Sequence, residues 1–320
     1  MSRAVLVAGS ANLDLVVRAA HVPAPGETLL GRGFARYPGG KGANQAVACA
    51  RAGGVPTRAL VALGDDANAR PLEDSLRGAG VDCTVVRSAE PTGVALICVA
   101  DDAENSIIVA PGANATLAGD DLPPLDGVAV LLMPLESPPG AVEAWARAAR
   151  GAGVRVVLNA APVPADGVPG PLLSLVDVLV VNEGELADVA RARGCEGDAI
   201  GARFDATGVG CVVVTLGALG VCARDGGVWH LQPGFPVEPV DTTGAGDAFC
   251  GVLAAGLARG DALAAALRRA CAASALACTR PGAQTGVPEA AEVDALLSSA
   301  ADGADARARL AAHVGVPQNP

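Results

Sequence analysis

The segment Asp241-Thr242-Thr243-Gly244-Ala245-Gly246-Asp247 carries the residue types and spacing best suited to handling a phosphate. It follows a strand-like run and opens an Ala-rich helical pattern. A glycine-rich turn at a helix start presents unpaired backbone N–H groups and the positive end of the helix dipole, and both suit an anion. Glycine also lets the backbone approach a ligand with no Cβ in the way. Taken alone, the stretch could be a turn whose Asp merely balances the dipole. A carboxylate beside a phosphate cradle is otherwise a poor choice, because the two repel. The choice makes sense if Asp247 faces an acceptor hydroxyl whose proton it must take, while Gly244, Ala245 and Gly246 shape the anion site.

A second glycine-led helix start is Pro38-Gly39-Gly40-Lys41-Gly42-Ala43-Asn44. It lacks the Gly-x-x-x-x-Gly-Lys-Ser/Thr spacing of a P-loop. Lys41 and Asn44 among small residues suit a polyhydroxy ligand held by hydrogen bonds, or else a plain helix cap. Asn12 and Asp14 come directly after the first apolar run, Glu136 follows Val128–Met133, and Asn182 and Glu185 follow Val176–Val181. In open α/β sheets ligands bind at the C-terminal ends of strands. Any one of these polar groups could be a turn residue; together, at successive strand ends, they point to a single site.

The elements that must position these groups are legible as short Val/Leu runs separated by Ala-rich helical stretches. Ala4–Gly9 reads as a buried strand, as do Val128–Met133, Val154–Leu158, Val176–Val181 and Cys211–Leu216. Asn44–Ala52, Ala141–Ala149 and Glu183–Arg193 read as helices. This rhythm means βαβ units and a mostly parallel sheet. After Leu216 the pattern changes to short strands over Gly220–Arg224, Val228–Leu231 and Phe235–Val240, then two helices over Gly246–Ala258 and Ala262–Cys278. Leu13–Val17 and Thr92–Ala100 alternate as strands of a smaller sheet, so two β excursions, over about 12–36 and 92–110, leave the main body. The chain reads as one α/β domain over 1–299, with a frayed tail over 300–320.

Composition bounds the function. Half of the 320 residues are hydrophobic and only 2% aromatic, so a large core must be built from Ala, Val and Leu. The net charge of −11 offers no basic stripe for nucleic acid. Nine Cys at 49, 83, 98, 195, 211, 222, 250, 271 and 278 include no C-x-x-C pair and read as small buried hydrophobes in a reducing cytoplasm. The apolar start is too short and too charged for a signal or a membrane span, so a soluble cytoplasmic protein is expected. His21, His230 and His313 lack metal-ligand spacing and read as surface or loop residues. The turn Gly9-Ser10-Ala11-Asn12 lacks Gly-x-Gly-x-x-Gly, which argues against a dinucleotide-dependent dehydrogenase.

Asn12 with Asp14, the Gly39–Asn44 segment and the Asp241–Gly251 segment together resemble the PfkB carbohydrate kinase family in its ribokinase branch, in register from about residue 4 to 297. The resemblance implies a ribokinase-like three-layer sandwich with a mostly parallel central sheet and a small β-sheet lid. It implies that Asn12, Asp14, Gly40, Lys41, Asn44 and Glu136 contact a sugar. Asp247 would be the base, and Ala245 and Gly246 would give anion-hole N–H groups. Asn182 and Glu185 match an Asn-x-x-Glu pattern linked to a Mg²⁺–phosphate network. Thr215, Leu216, Gly217, Ala218, Leu219 and Gly220 would line the ATP site, with Cys271 where relatives have Asn or His near adenine. The lid would close over the site and serve as a homodimer contact.

The same resemblance implies a K⁺ site built from Asp241, Thr243, Ala277, Arg280, Gly282 and Gly286. Gly286 lacks the hydroxyl that some members place there, so a weakened site is expected unless water or Thr285 replaces it. The implied reaction is ATP-dependent phosphorylation of D-ribose at its 5-hydroxyl. A related acceptor (2-deoxyribose, a ketohexose or a nucleoside) or a non-catalytic sugar sensor on the same fold are the rival readings. The intact Asp247 and its Gly-rich turn count against the sensor.

Overall fold

The computed structural model describes residues 4–101, 105–299 and 303–316. In chain order the strands are β1 (Ala4–Ala8), β2 (Asn12–Arg18), β3 (Phe34–Gly39), β4 (Thr57–Gly64), β5 (Asp82–Ser88), β6 (Gly93–Val99), β7 (Asn105–Ala110), β8 (Val128–Pro134), β9 (Arg155–Asn159), β10 (Val178–Asn182), β11 (Cys211–Thr215), β12 (Gly220–Asp225) and β13 (Val228–Pro233). Nine of them form one sheet in the order β13-β12-β11-β10-β9-β8-β1-β4-β5. It is parallel from β11 to β5, and β12 runs antiparallel to both its neighbours.

Alternation along the central strands gives this one sheet two cores. Val5 and Val7 of β1 belong to one apolar cluster and Leu6 and Ala8 to the other; β8 divides Val130 and Leu132 from Leu131 and Met133 in the same way. Strands apolar on both faces must be covered on both, which the intervening helices do. One face carries α1 (Lys41–Arg51), α2 (Ala69–Gly78), α7 (Ala245–Arg259), α8 (Leu263–Ala277) and α9 (Ala290–Ser299). The other carries α3 (Pro139–Gly151), α4 (Gly170–Leu173), α5 (Glu183–Ala192), α6 (Ile200–Thr207) and α10 (Ala304–Val314). Small residues replace aromatics at the helix contacts. A Cβ at Gly251 of α7 would come within 2.5 Å of the Gln45 carbonyl and 2.7 Å of the Ala48 methyl, so glycine is what allows α7 to lie against α1.

The two β excursions meet as a four-stranded sheet, β3-β2-β6-β7. β2 pairs antiparallel with β3 and parallel with β6, while β6 and β7 form a hairpin. Register puts Leu15, Leu96 and Ile108 side by side on one face, and Asp14, Ala95 and Val109 on the other.

Three expectations are corrected. Phe235–Val240 is no strand, because Pro236 and Pro239 lack the N–H groups that a ladder needs. Helix α1 begins three residues before Asn44, so Lys41 stands on its first turn. The tail is described only over 303–316, and there it forms α10, whose Leu310, Ala311 and Val314 are buried against the sheet. Three apolar positions among charged ones make a stripe too narrow to stand out in the sequence. Residues 300–302 and 317–320 of that expected tail lie outside the described residues.

Candidate active site

β1 sits at the point where the strand order reverses, between β8 and β4, and its C-terminal end opens into the crevice that such a switch creates. From there the Gly9-Ser10-Ala11 turn delivers the chain to Asn12 and Asp14 of β2, both buried. Asn114 pins the turn: its Oδ1 accepts the Ala11 N–H at 2.9 Å and its Nδ2 donates to Asn12 Oδ1 at 2.8 Å. A Cβ at Gly39 would overlap the Asp14 carboxylate, and one at Gly40 (φ +85°) would lie 2.6 Å from the Asn12 nitrogen. The two glycines therefore serve the protein's own packing, by letting β3 run close under the polar residues of β2. Glu136, just past β8, ties these pieces together. Its Oε2 accepts from the Ser10 hydroxyl at 2.5 Å and from the Lys41 N–H at 3.1 Å.

Asp247 lies buried on the first turn of α7, held by consecutive residues of α1. Asn44 Nδ2 donates to Oδ2 at 2.9 Å, and Gln45 Nε2 donates to Oδ1 at 3.0 Å. Gln45 Nε2 also reaches Asn159 Oδ1 at 3.0 Å, and Asn159 Nδ2 donates to the Val180 carbonyl at 3.1 Å. Each carboxylate oxygen takes one donor and keeps accepting capacity for another. Asn44, expected to face a ligand, thus has both amide ends engaged by protein, with Gln284 Nε2 donating to its Oδ1 at 3.0 Å.

Asp247, Gly246, Lys41, Glu185 and Thr215 surround a cavity of about 140 Å³. Gly246 stands apart from the glycines above: an added Cβ would meet nothing within 4 Å. The protein does not need glycine there for its own packing, and the space beside it is open. Among the described residues nothing accepts from the Gly246 N–H, whereas the Ala245 N–H turns to the Thr242 carbonyl at 3.2 Å. Gly244 sits at φ +76° against Ala283 and shapes the turn.

Charge is dense here. The Asp247 carboxylate, then Glu136 and Glu185, raise the Lys41 ammonium above its usual value against the opposing effect of burial. Burial, then the charges of Glu136 and Asp247, pushes Asp14 up to about 7. Burial likewise raises Glu185, although the Asn182 N–H and Lys41 oppose it. Asn182 and Glu185 cap α5 reciprocally: Glu185 N–H donates to Asn182 Oδ1 and Asn182 N–H to Glu185 Oε2, both at 2.8 Å. Cys250, one turn beyond Gly246, also lines the cavity, and burial holds its thiol well above the usual range.

A second cavity, of about 560 Å³, opens between the underside of the small sheet (Asp14, Val16, Tyr37, Ile97) and the segments Pro239–Thr243 and Pro281–Ala283. Asp241 is held there. Burial alone would raise its carboxyl, yet donors from Gly282 and Thr243 keep it below the usual carboxylate range. Beside it, a Cβ added at Gly286 would stand 2.7, 2.9 and 3.1 Å from the carbonyl oxygens of Gly282, Ala277 and Arg280. Three carbonyls thus pack against Gly286, and the Gly282 carbonyl accepts the Gly286 N–H at 2.8 Å. Glycine is what fits there, since a side chain at 286 would force backbone to move.

The turn Leu216–Gly220 joins β11 to β12 beyond Thr215, with Leu216 N–H donating to the Gly220 carbonyl at 2.8 Å. Cys271 of α8 lies in the apolar core, its thiol pushed up to about 12 by burial, and it lines neither cavity. Sequence reasoning missed Ser10, Gln45, Asn114, Asn159 and Gln284. Asn159 ends a strand as Asn182 does, and the same strand-end signal could have found it; the others show only once folding brings them together.

The profile of pfkB family carbohydrate kinases matches residues 2–290. The ribokinase of Haemophilus influenzae is 37% identical over 309 residues, covering 94% of this chain and 100% of that protein. That of Bacillus subtilis is 36% identical over 302 residues, covering 92% and 100%. Among solved structures, Thermotoga maritima ribokinase superposes with a TM-score of 0.85 at 32% identity, covering 93% of this chain and 100% of that one. Arabidopsis thaliana ribokinase complexed with ribose and ATP gives 0.83 at 31%, covering 94% and 100%.

Proposed function

The chain belongs to the pfkB family of carbohydrate kinases, and from that premise we propose that it transfers the γ-phosphate of ATP to the 5-hydroxyl of D-ribose, giving D-ribose 5-phosphate and ADP. The observation that carries this reading is Asp247: a buried carboxylate, oriented by two amides, beside a glycine that leaves open space at a helix start. Asn12, Asp14, Gly40, Lys41 and Glu136 present polar groups to the sugar, with Asn44 acting chiefly by holding the base. The 5-hydroxyl donates to Asp247, which takes its proton as the oxygen–phosphorus bond forms. The Gly246 N–H, the α7 dipole and the Lys41 ammonium meet the charge on the transferring phosphoryl group. ATP extends from that cradle past Thr215 toward the Leu216–Gly220 turn. Cys271, sealed in the core, presents no group to the ATP. Closure of the small sheet excludes water, the competing acceptor.

Two ions fit the residues present. Among the described residues no group of three or more His, Cys, Asp or Glu could cage a metal. Mg²⁺ would accompany the ATP phosphates and neutralise their charge, and Asn182 and Glu185 are the residues that would hold it. A monovalent cation such as K⁺ would sit beside Asp241, held by backbone carbonyls of the 277–286 segment with Thr243 nearby; carbonyl ligands depend on backbone path and not on side-chain identity. The exposed apolar side chains Leu96 and Ile108 on the outer face of the small sheet support a homodimer through the lid. Nine unpaired cysteines, and no helix among the described residues long and apolar enough to cross a membrane, suit a cytoplasmic enzyme.

The test is ADP release measured across ribose, 2-deoxyribose, fructose and nucleosides. Ribose should give the highest kcat/KM, and 2-deoxyribose should fall behind because it leaves a buried polar partner unpaired. No sugar-dependent ADP release with ribose would remove the reading.

A further inference from the structure

An ionised carboxylate only accepts hydrogen bonds, and at Asp247 that one-way demand runs outward through its neighbours. It obliges Asn44 to present Nδ2, which turns Asn44 Oδ1 toward Gln284. Oδ1 needs a donor, so Gln284 presents Nε2 and turns its own Oε1 toward Ser75, whose hydroxyl donates at 2.6 Å. Asn44 and Gln284 are buried, at 6% and 3% exposure, so neither can trade its partner for water. Reversing either amide would set acceptor against acceptor. The relay also crosses from the body of the enzyme to the loop whose Gly282 N–H donates to Asp241. Gln284 lies within that loop, and its carbonyl accepts from Arg51 at 3.1 Å.

We propose that Gln284 is a positioning residue for phosphoryl transfer: it locks the Asn44 amide so that Nδ2 holds the Asp247 carboxylate toward the acceptor hydroxyl. The proposal rests on Asp247 being the base. Gln45, the other amide on Asp247, is anchored by Asn159 within the sheet, so it stays in place when Gln284 changes. Removing Gln284's amide frees Asn44 to rotate and present Oδ1 to Asp247. The base then loses one of its two restraints while the sugar and ATP contacts stay intact.

A double-mutant cycle tests this. Gln284→Met keeps the side chain's length and removes its polar end. Its kcat should fall about 10- to 100-fold, the cost of misplacing a reacting group, while KM for ribose and for ATP holds. In an Asn44→Ala background the same substitution should have no further effect, since the amide it orients is gone. A purely structural role would lower kcat equally in both backgrounds, and that result overturns the proposal. So does a Gln284→Met enzyme whose kcat stays within about twofold of the original. Should Gln284→Met not fold, Gln284→Glu is read through the same cycle: its carboxylate still accepts from Ser75 but offers Asn44 no donor. Asp247→Asn, run alongside, separates the two readings. If it retains more than about a tenth of kcat, the base lies elsewhere and both readings fall. If it is inactive while Gln284→Met is not, only this inference falls.

Discussion

Asp14 stands where three carboxylates approach one another, and its environment makes pH a variable of both stability and binding. Burial and the Glu136 and Asp247 charges push it to about 7, so the folded protein holds a proton there that the unfolded chain releases above pH ~4. Where the native state binds more protons, stability falls as pH rises. The stabilisation is therefore full below pH ~4 and lost as pH climbs through about 7. Asp14→Asn, which cannot ionise, should keep a flatter Tm from pH 5 to 8 than the unmodified enzyme; parallel Tm curves would show that Asp14 does not titrate in this range. KM for ribose should also drop as pH passes 7, when Asp14 becomes a pure acceptor, and that dependence should vanish in Asp14→Asn. At Asp247, replacement by Asn keeps shape and removes the proton acceptor. We expect a ~10²–10⁴-fold loss in kcat with sugar and ATP affinities retained by calorimetry. The residue types at both positions were visible in the sequence, because several polar groups at successive strand and helix ends, each explicable alone, point together to one site. Their supports were not: Gln45, Asn114 and Gln284 are ordinary amides until packing gives each a partner.

At the scale of elements, the glycines separate into those the fold needs and those a ligand needs. Gly246 is of the second kind. Ala there meets no protein atom and suits a helix better than Gly, so Gly246→Ala should hold or raise stability, by up to about 1 kcal/mol, while kcat and KM for ATP suffer. Loss of stability with activity intact would mean the space serves packing. Gly286 is different again, since a Cβ there would press on the Gly282, Ala277 and Arg280 carbonyls. Titrating KCl against choline chloride at constant ionic strength should show stimulation in the unmodified enzyme and a flat response in Gly286→Ala. Restoring a Ser at 286 should not strengthen the response, because its Cβ meets the same carbonyls. Period and punctuation revealed most of the parallel sheet and both glycine-led helix starts. They failed over Phe235–Val240, where apolar residues suggested a strand that prolines forbid. They failed again at α10, whose stability comes from docking on the sheet and not from its own pattern.

The whole molecule is a two-cored sheet with a small sheet set over one crevice, and the outer face of that small sheet exposes apolar side chains. Leu96 and Ile108 are half or more exposed and directly opposite each other in register. Ile108→Asp should convert a dimer to monomers in sedimentation velocity; an unchanged sedimentation coefficient, dimeric or monomeric, would place any contact elsewhere. The arrangement of the core has a temporal side as well. The donors that hold Asp247 come from residues 203 and 202 positions earlier in the chain, and α1 finds its main cover in α7. At roughly 5–20 residues per second, a ribosome delivers α7 some 10–40 s after α1. Through that interval Ala43, Val47 and Ala48 lack their final packing partner, and Asn44 and Gln45 have no carboxylate to hold. On the proposed roles, the residues of β2 and α1 that would meet the sugar are made early, and the group that would activate its hydroxyl is made late. On those roles a nascent chain would carry half of an acceptor site with no base, so the order of synthesis would itself keep an unfinished chain from transferring phosphate.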